Sequence, residues 1–311
     1  MRPIAMWLCA CGAGLLWAAG PQTLFSTPDD AVKALTSAVE AKDQDAMTAV
    51  LGPEREKLMS GDAIEDANAL ARFGENLKKG AQLERVDDAK FTLVVGEDKF
   101  PFPIPLVKEG NQWRFDTAAG LDEILSRRIG QNELSAIMTR RAYAMAQWEY
   151  FTKASETSVD GLAVYAQKFI STPGKHDGLY WDVAEGENPS PMGTLVAEAR
   201  TEGYSAGRQP AQTGDAPRPR TPFHGYFFRI LKAQGEHAPG GKFSYVINGN
   251  MIAGYALVAF PDKWGASGIM TFIVNNQGRV YQKNLGAATA DIAGAMTEYD
   301  PDPSWTLVKE Q

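Results

Sequence analysis

The chain has 311 residues, with 31 Lys and Arg against 38 Asp and Glu, a net charge of −7. That balance argues against nucleic acid and against electrostatic attachment to anionic lipid. Its two cysteines, Cys9 and Cys11, both lie near the start, so the remaining chain has no disulfide and no thiolate chemistry and must fold on its apolar core alone.

Met1-Arg2 makes a short positive start, and residues 4–19 then run apolar and small without a charge. A membrane-spanning helix needs about 20 apolar residues, so this run fits the apolar part of a secretory leader, residues 1–20, with Ala18-Ala19-Gly20 supplying small residues for cleavage. Cutting after Gly20 leaves Pro21 at the new terminus, and cutting after Ala19 puts bulky Trp17 at a position that prefers a small residue. The leader predicts a periplasmic or secreted protein. Leu8-Cys9-Ala10-Cys11 loosely resembles a lipobox, and anchoring through Cys11 is the alternative. No later run reaches membrane length, so no integral segment is expected after cleavage.

In chain order, Ser26-Thr27-Pro28-Asp29-Asp30 is a helix start: a hydroxyl cap, an early proline and acids at the positive end of the dipole. Ala31, Leu35, Ala38 and Val39 continue it at helical spacing. Further helices are expected over 43–51, stopped by Gly52-Pro53, and over 62–77. Strands follow at 91–95, 100–107 and 112–115. Pro101, Pro103 and Pro105 occupy alternate positions of the second and would remove donors from one side, which suits an edge strand. Asp116-Thr117 can cap a helix over 118–129, and after Gly130 a long helix is expected over 132–153. Its Leu134, Ile137, Met138, Met145 and Trp148 form an apolar stripe read as core packing.

Residues 201–222 are rich in Gly and Pro and read as a flexible loop, with Arg208, Arg218 and Arg220 as solvated cations. The rest is strand-rich: 223–231, 243–247, 251–260, 269–274 and 280–282. Asn248-Gly249 signals a type I′ hairpin, and Asn276-Gln277-Gly278 turns another. A closing helix is expected over 287–296. The reading is an α+β fold of two domains. Residues 21–125 place helices on a small antiparallel meander, and 126–311 place a long helix on an antiparallel sheet.

Nucleophile-elbow, zinc-protease, phosphate-loop and dinucleotide motifs are absent from the sequence. The three histidines, His176, His224 and His237, lack metal-ligand spacing. Asp300-Pro301-Asp302-Pro303 offers too few oxygens for calcium. No cofactor or metal is expected. Arg127-Arg128 and Arg140-Arg141 read as solvated pairs with Glu123, Glu133 and Glu149. The candidate ligand-binding residues are His176, Asp177, Tyr180 and His224, with no catalytic residue assigned.

The residues carry one resemblance across nearly the whole chain. The segments are Phe100-Pro101-Phe102-Pro103-Ile104-Pro105-Leu106-Val107, Trp113-Arg114-Phe115-Asp116-Thr117-Ala118-Ala119-Gly120 and Arg127-Arg128-Ile129-Gly130-Gln131-Asn132-Glu133-Leu134. They continue with 171–181, His224-Gly225-Tyr226-Phe227 and Gly268-Ile269-Met270-Thr271-Phe272-Ile273-Val274-Asn275. Together they resemble the bacterial family of domain of unknown function 2950, which implies export and carries no activity with it. More loosely, the long helix followed by an antiparallel sheet is similar to the globular part of pilin-like proteins. The first domain is similar in outline to small cone-shaped folds of the NTF2 and cystatin type.

The function expected from these readings is non-enzymatic: an exported envelope protein that binds another envelope protein or a surface component. The alternative is a periplasmic small-molecule binding or hydrolytic protein, using a concave first domain or a cleft near His176 and His224.

Overall fold

Thr27 caps the first helix, its hydroxyl accepting from the Asp30 N–H at 3.1 Å, and α1 (Pro28–Glu40) then buries Ala31, Leu35, Ala38 and Val39. The fold is given by a computed structural model, which describes residues 22–157, 161–184, 186–204 and 221–309, with side chains described up to 153 in the first of these stretches. The leader (1–20) and most of the expected 201–222 loop lie outside the described residues.

Asp43 caps α2 (Gln44–Leu51), which ends where Gly52 takes φ 81°, a conformation that costs glycine little. A short 3-10 turn (Pro53–Leu58) follows. The Asp62 carboxylate caps α3 (Ala63–Lys79) by accepting from the N–H groups of Ile64 and Glu65. These helices cover one sheet built from β1 (Ala81–Arg85), β2 (Lys90–Val95), β3 (Phe100–Pro101), β4 (Leu106–Glu109) and β5 (Gln112–Phe115). β1 is polar and mostly exposed, so it offered no alternation to read.

The single edge strand expected over 100–107 is corrected in part: it is two strands, β3, which pairs with β2 alone and keeps an edge, and β4, which lies between β2 and β5. The prolines interrupt the strand, because each lacks the N–H that a ladder needs. Phe102 still donates to the Leu93 carbonyl at 2.7 Å, and beyond it Ile104 drops fully into the core.

The two helices expected over 118–129 and 132–153 are one, α4 (Thr117–Thr157), of 41 residues. An interior glycine costs roughly 1 kcal/mol against alanine, and Gly130 is carried because tertiary contacts hold the helix on both sides of it. Arg128 donates to the Leu58 carbonyl, and Asn132 Nδ2 donates to the Ser267 carbonyl at 2.9 Å. Near the start of α4, a side chain at Gly120 would meet the Ile104 backbone at 2.8 Å, so the glycine lets helix and proline segment touch.

Past α4 the chain runs irregularly to α5 (Gly193–Thr201). A second sheet takes β6 (Tyr226–Leu231), β11 (Ala256–Pro261), β12 (Met270–Asn275), β13 (Val280–Asn284) and β15 (Thr306–Leu307) in the order β15-β13-β12-β11-β6. Between them, β7 (Ala233–Gln234) pairs with β8 (Phe243–Ser244) and with β14 (Glu298–Tyr299). β9 (Val246–Ile247) and β10 (Asn250–Met251) form the expected two-residue hairpin. Asn248 and Gly249 both take positive φ, 49° and 82°, as a type I′ turn requires. The run expected as one strand over 251–260 is interrupted at Gly254. α6 (Thr289–Ala295) packs on β11.

The mixture of helices and antiparallel sheets is α+β. The two large sheets share no strand pairing, and the apolar interior falls into two clusters. One spans 31–115 around Leu35, Leu93 and Phe115, and the other spans 136–299 around Tyr143, Tyr226 and Leu257. α4 crosses residues 125–126, where the two domains were expected to meet, and serves both clusters. Among the described residues, no helix is long and apolar enough to cross a membrane.

Candidate functional site

Among the described residues, His176, Asp177 and Tyr180 share one loop, and His224 has a separate set of side-chain partners. The His176 ring stacks on Trp181 with centroids 4.3 Å apart, and its carbonyl accepts from the Tyr150 hydroxyl at 2.8 Å. Asp177 closes the surrounding loop: its oxygens accept from the Thr172 N–H and hydroxyl at 2.7 and 2.9 Å and from Lys168 Nζ at 2.7 Å. Those bonds, the Lys168 one foremost, hold its carboxyl well below the usual range. Such a group is a loop clasp, and both its oxygens are engaged. Tyr180 is buried, its hydroxyl donating to Asp182 at 2.6 Å while Arg200 lies over its ring.

His224 has a different set of neighbours. It takes φ 46° just before Gly225 at φ 71°, a tight turn into β6. Its Nε2 is 3.0 Å from Glu202 and its Nδ1 3.5 Å from Glu65. Its N–H donates to the Tyr204 hydroxyl at 3.2 Å, and that hydroxyl donates to Asp62 at 2.8 Å. Burial alone would pull the imidazole pKa down, but Glu65 and Glu202 more than offset it, and the net shift is upward. Glu65 moves the other way: burial raises it, and His224 with Arg72 lowers it further. The cluster therefore ties the start of α3, the end of α5 and the start of β6 through the His224 ring. Among the described residues, no group of three or more His, Cys, Asp or Glu side chains is placed to hold a metal ion.

The acids of the closing segment act separately. Asp300 accepts from the His237 N–H at 2.8 Å and contacts its ring at 3.0 Å, and Asp302 accepts from the Ser304 N–H at 2.7 Å.

The arginine pairs of α4 also depart from expectation. Arg127 pairs with Glu123 at 2.6 Å as read, but Arg128 turns inward and Arg140 is buried. Glu133 accepts from the Ile269 and Met270 N–H groups instead of pairing with an arginine.

The largest correction concerns the α4 stripe. Leu134, Met138, Met145 and Trp148 were expected in the core. They are 60%, 67%, 73% and 67% exposed, the four most exposed large apolar side chains among the described residues. The face turned inward carries Asn132, Ala136, Thr139, Arg140, Tyr143, Ala146 and Gln147, all buried. Its polar members bond specific loop groups. Gln147 donates to the Ala166 carbonyl at 2.8 Å and accepts from the Ala166 N–H at 2.9 Å. Both groups of one peptide are thereby satisfied as a strand would satisfy them. Tyr143 lies between Tyr255 and Phe169, centroids 5.5 and 5.7 Å away.

From Gln131 to Thr152 the exposed positions are 131, 134, 138, 141, 145, 148 and 152. They alternate in steps of three and four, the 3.5-residue seam that keeps one line of a helix facing a partner helix. Four of the seven are large and apolar. The stretch from Leu134 to Trp148 rises about 21 Å at 1.5 Å per residue. Arg141 sits at its centre, exposed and without an ion pair among the described residues. At the far end Trp148 stacks on Phe151, Phe151 on Tyr165, and Tyr165 meets Tyr255 edge-on. This run of rings fixes the tip of the seam to the interior.

A second feature lies in the N-terminal cluster. A cavity of about 680 Å³ opens between α1, α2, the 3-10 turn, α3 and the first part of α4, with Arg55 and Arg128 on a largely apolar lining.

One family model, with the description Protein of unknown function (DUF2950), matches residues 22–308. No curated protein and no solved structure matches the chain.

Proposed function

Because the chain belongs to the DUF2950 family over nearly its whole length, a family that brings no activity with it, we propose from its own surface that it is a non-enzymatic binding protein of the cell envelope. In this reading it is exported by its leader to the periplasm or beyond, and its two apolar cores are two domains sharing α4. The observation that carries the proposal is the apolar crest Leu134–Met138–Met145–Trp148 at heptad spacing on the solvent side of α4. Contiguous exposed apolar surface of this kind marks an interaction site, and Met and Trp are side chains favoured at interface centres.

The occupant that fits is a helix of another protein. A 3.5-residue seam meshes with a second seam, and Arg141 at its middle calls for a carboxylate opposite. A second copy of this chain fits less well. Parallel or antiparallel, a symmetric pair centred on the seam brings Arg141 against its own copy, and like charges at such a position are unfavourable.

The hydrolytic alternative has less support. Among the described residues His176 and His224 have no partner in common, and the oxygens of Asp177 already serve Thr172 and Lys168. Size-exclusion chromatography of envelope extract tests the main proposal. The wild-type chain should elute at a larger size than the purified chain, and a Met138→Ser/Met145→Ser variant should elute with the purified chain. Identical elution of wild type and variant at the monomer position would count against the proposal. Intact mass spectrometry should find the chain shortened by about 20 residues, and Met1 retained on cytosolic material would remove the export claim.

A further inference from the structure

The N-terminal cavity has the size of a ligand pocket, since sites that enclose small molecules run from roughly 300 to 1,000 Å³. Its volume is about 680 Å³, and Leu35, Val39, Leu70, Phe73 and Phe102 give it apolar walls. Helices form most of those walls, from α1, α2, α3 and the first part of α4, with the 3-10 turn and Phe102 and Ile104 completing the lining.

One wall carries a cation that the fold does not use up. Arg128 is held by a bond from Nη2 to the Leu58 carbonyl, while its Nη1 is buried with no hydrogen-bond partner among the described residues. Burial lowers the Arg128 pKa from its ordinary value, against the pull of Asp66 and Glu65. Asp66 does not neutralise it by contact, because both its oxygens accept from the Ser60 N–H at 3.1 Å. Arg55 is the second guanidinium on the lining. It donates to Thr48 Oγ1 at 3.3 Å and to Gln44, and burial lowers its pKa as well. Of the other charged residues on the lining, Lys78 pairs with Glu75 at 2.9 Å, and Glu40, Lys42 and Asp66 complete the set.

A buried guanidinium donor without an acceptor is costly, and an anion supplied from outside removes that cost. The apolar walls ask at the same time for a hydrocarbon body. We infer that this cavity binds an anionic amphiphile, an alkyl or aryl chain ending in a carboxylate, with the head group on Arg128 beside Arg55 and the chain along α1 and α3. This does not rest on the partner helix proposed for α4, whose crest lies in a different stretch of the chain.

The test is isothermal titration of the purified chain with dodecanoate and with its methyl ester, both below micelle formation. Dodecanoate should bind one per chain, about tenfold or more tighter than the ester, the margin expected of a charge-assisted hydrogen bond. Arg128→Gln should lose that margin and bind acid and ester alike. Ala67→Trp, at an exposed position on the cavity wall, should weaken both ligands while leaving thermal unfolding unchanged, and it keeps the test sound if Arg128→Gln folds poorly. Equal binding of acid and ester by the wild type, no binding of either, or dodecanoate binding untouched by Ala67→Trp would each overturn the inference.

Discussion

The two ends of α4 bury opposite kinds of face. In the N-terminal cluster the helix offers Ile124 and the stem of Arg128 to a hollow among α1, α2 and α3, and the packing leaves about 680 Å³ open. In the C-terminal cluster it presses Tyr143 and Gln147 into a filled interior and turns Leu134, Met138, Met145 and Trp148 to solvent. One region keeps apolar surface inside a cavity, and the other keeps it on a ridge. Burial in the C-terminal half is governed by hydrogen-bonding fit as much as by hydrophobicity. The loop peptide at Ala166 needs a two-handed partner, and Gln147 is that partner where a leucine would leave both groups unpaired.

If that contrast is right, removing bulk should cost far more at the filled end than at the hollow one. Tyr143→Ala removes a fully buried ring together with its bonds to Gln147 and the Ala256 carbonyl. It should lower unfolding free energy in urea by about 3–5 kcal/mol, the usual cost of an aromatic deletion in a packed core. Leu70→Ala, on the wall of the existing cavity, should cost about 1 kcal/mol, because little packing is lost where space already stands open. Equal costs would break the contrast.

A smaller effect should appear at the joint. The folded-state pKa of His224 is raised by Glu65 and Glu202, so its stabilisation is complete below the unfolded value of about 6.5 and fades as pH climbs through the folded value. Glu65 is shifted down, so its share is present above its ordinary value of 4.5 and is lost as pH falls through its lower folded value. The melting-temperature gap between wild type and His224→Gln should therefore be widest near pH 5–6 and narrow by pH 8, about 1.5 units above the unfolded His pKa. A gap that widens toward pH 8 would contradict the assignment.

The smallest effect belongs to the ridge. Met138→Ser/Met145→Ser should change stability by no more than about 0.5 kcal/mol, as exposed substitutions do. A loss of several kcal/mol would mean that the crest is core after all.

Much of the frame was legible in the sequence. Thr27, Asp43 and Asp62 announce three helix starts by short-range chemistry that no tertiary contact overrides. Asn248-Gly249 fixes a hairpin through its own backbone preferences. The triple proline misled because one continuous strand was read through it, whereas the chain divides into β3, at an edge, and β4, between β2 and β5. Gly130 misled because local helix cost was weighed without Leu58 and Ser267, which hold the helix across it.

For the candidate site, none of His176, Asp177, Tyr180 and His224 lines the cavity among α1, α2, α3 and α4. His176 and His224 were selected by residue type, and their neighbours were supplied by distant loops that no spacing reveals. The crest was visible as a stripe but was assigned to the wrong side. α4 bears two facing stripes, Leu134–Trp148 and Asn132–Gln147, and periodicity does not say which one turns inward. A signal was present nonetheless: Leu134, Met138, Met145 and Trp148 fall at heptad spacing, which suits a partner helix better than a curved sheet.

The most direct test of the central claim is site-specific photo-crosslinking in the host, with the reactive side chain at Met145 and, as a control, at exposed Val86 on the N-terminal sheet. The account predicts one discrete adduct from position 145, larger than the chain by the mass of a different protein. That adduct should disappear when Arg141→Glu is added, and position 86 should give no adduct. An adduct of twice the chain mass, an adduct indifferent to Arg141→Glu, or none from position 145 would contradict a crest built for a partner helix.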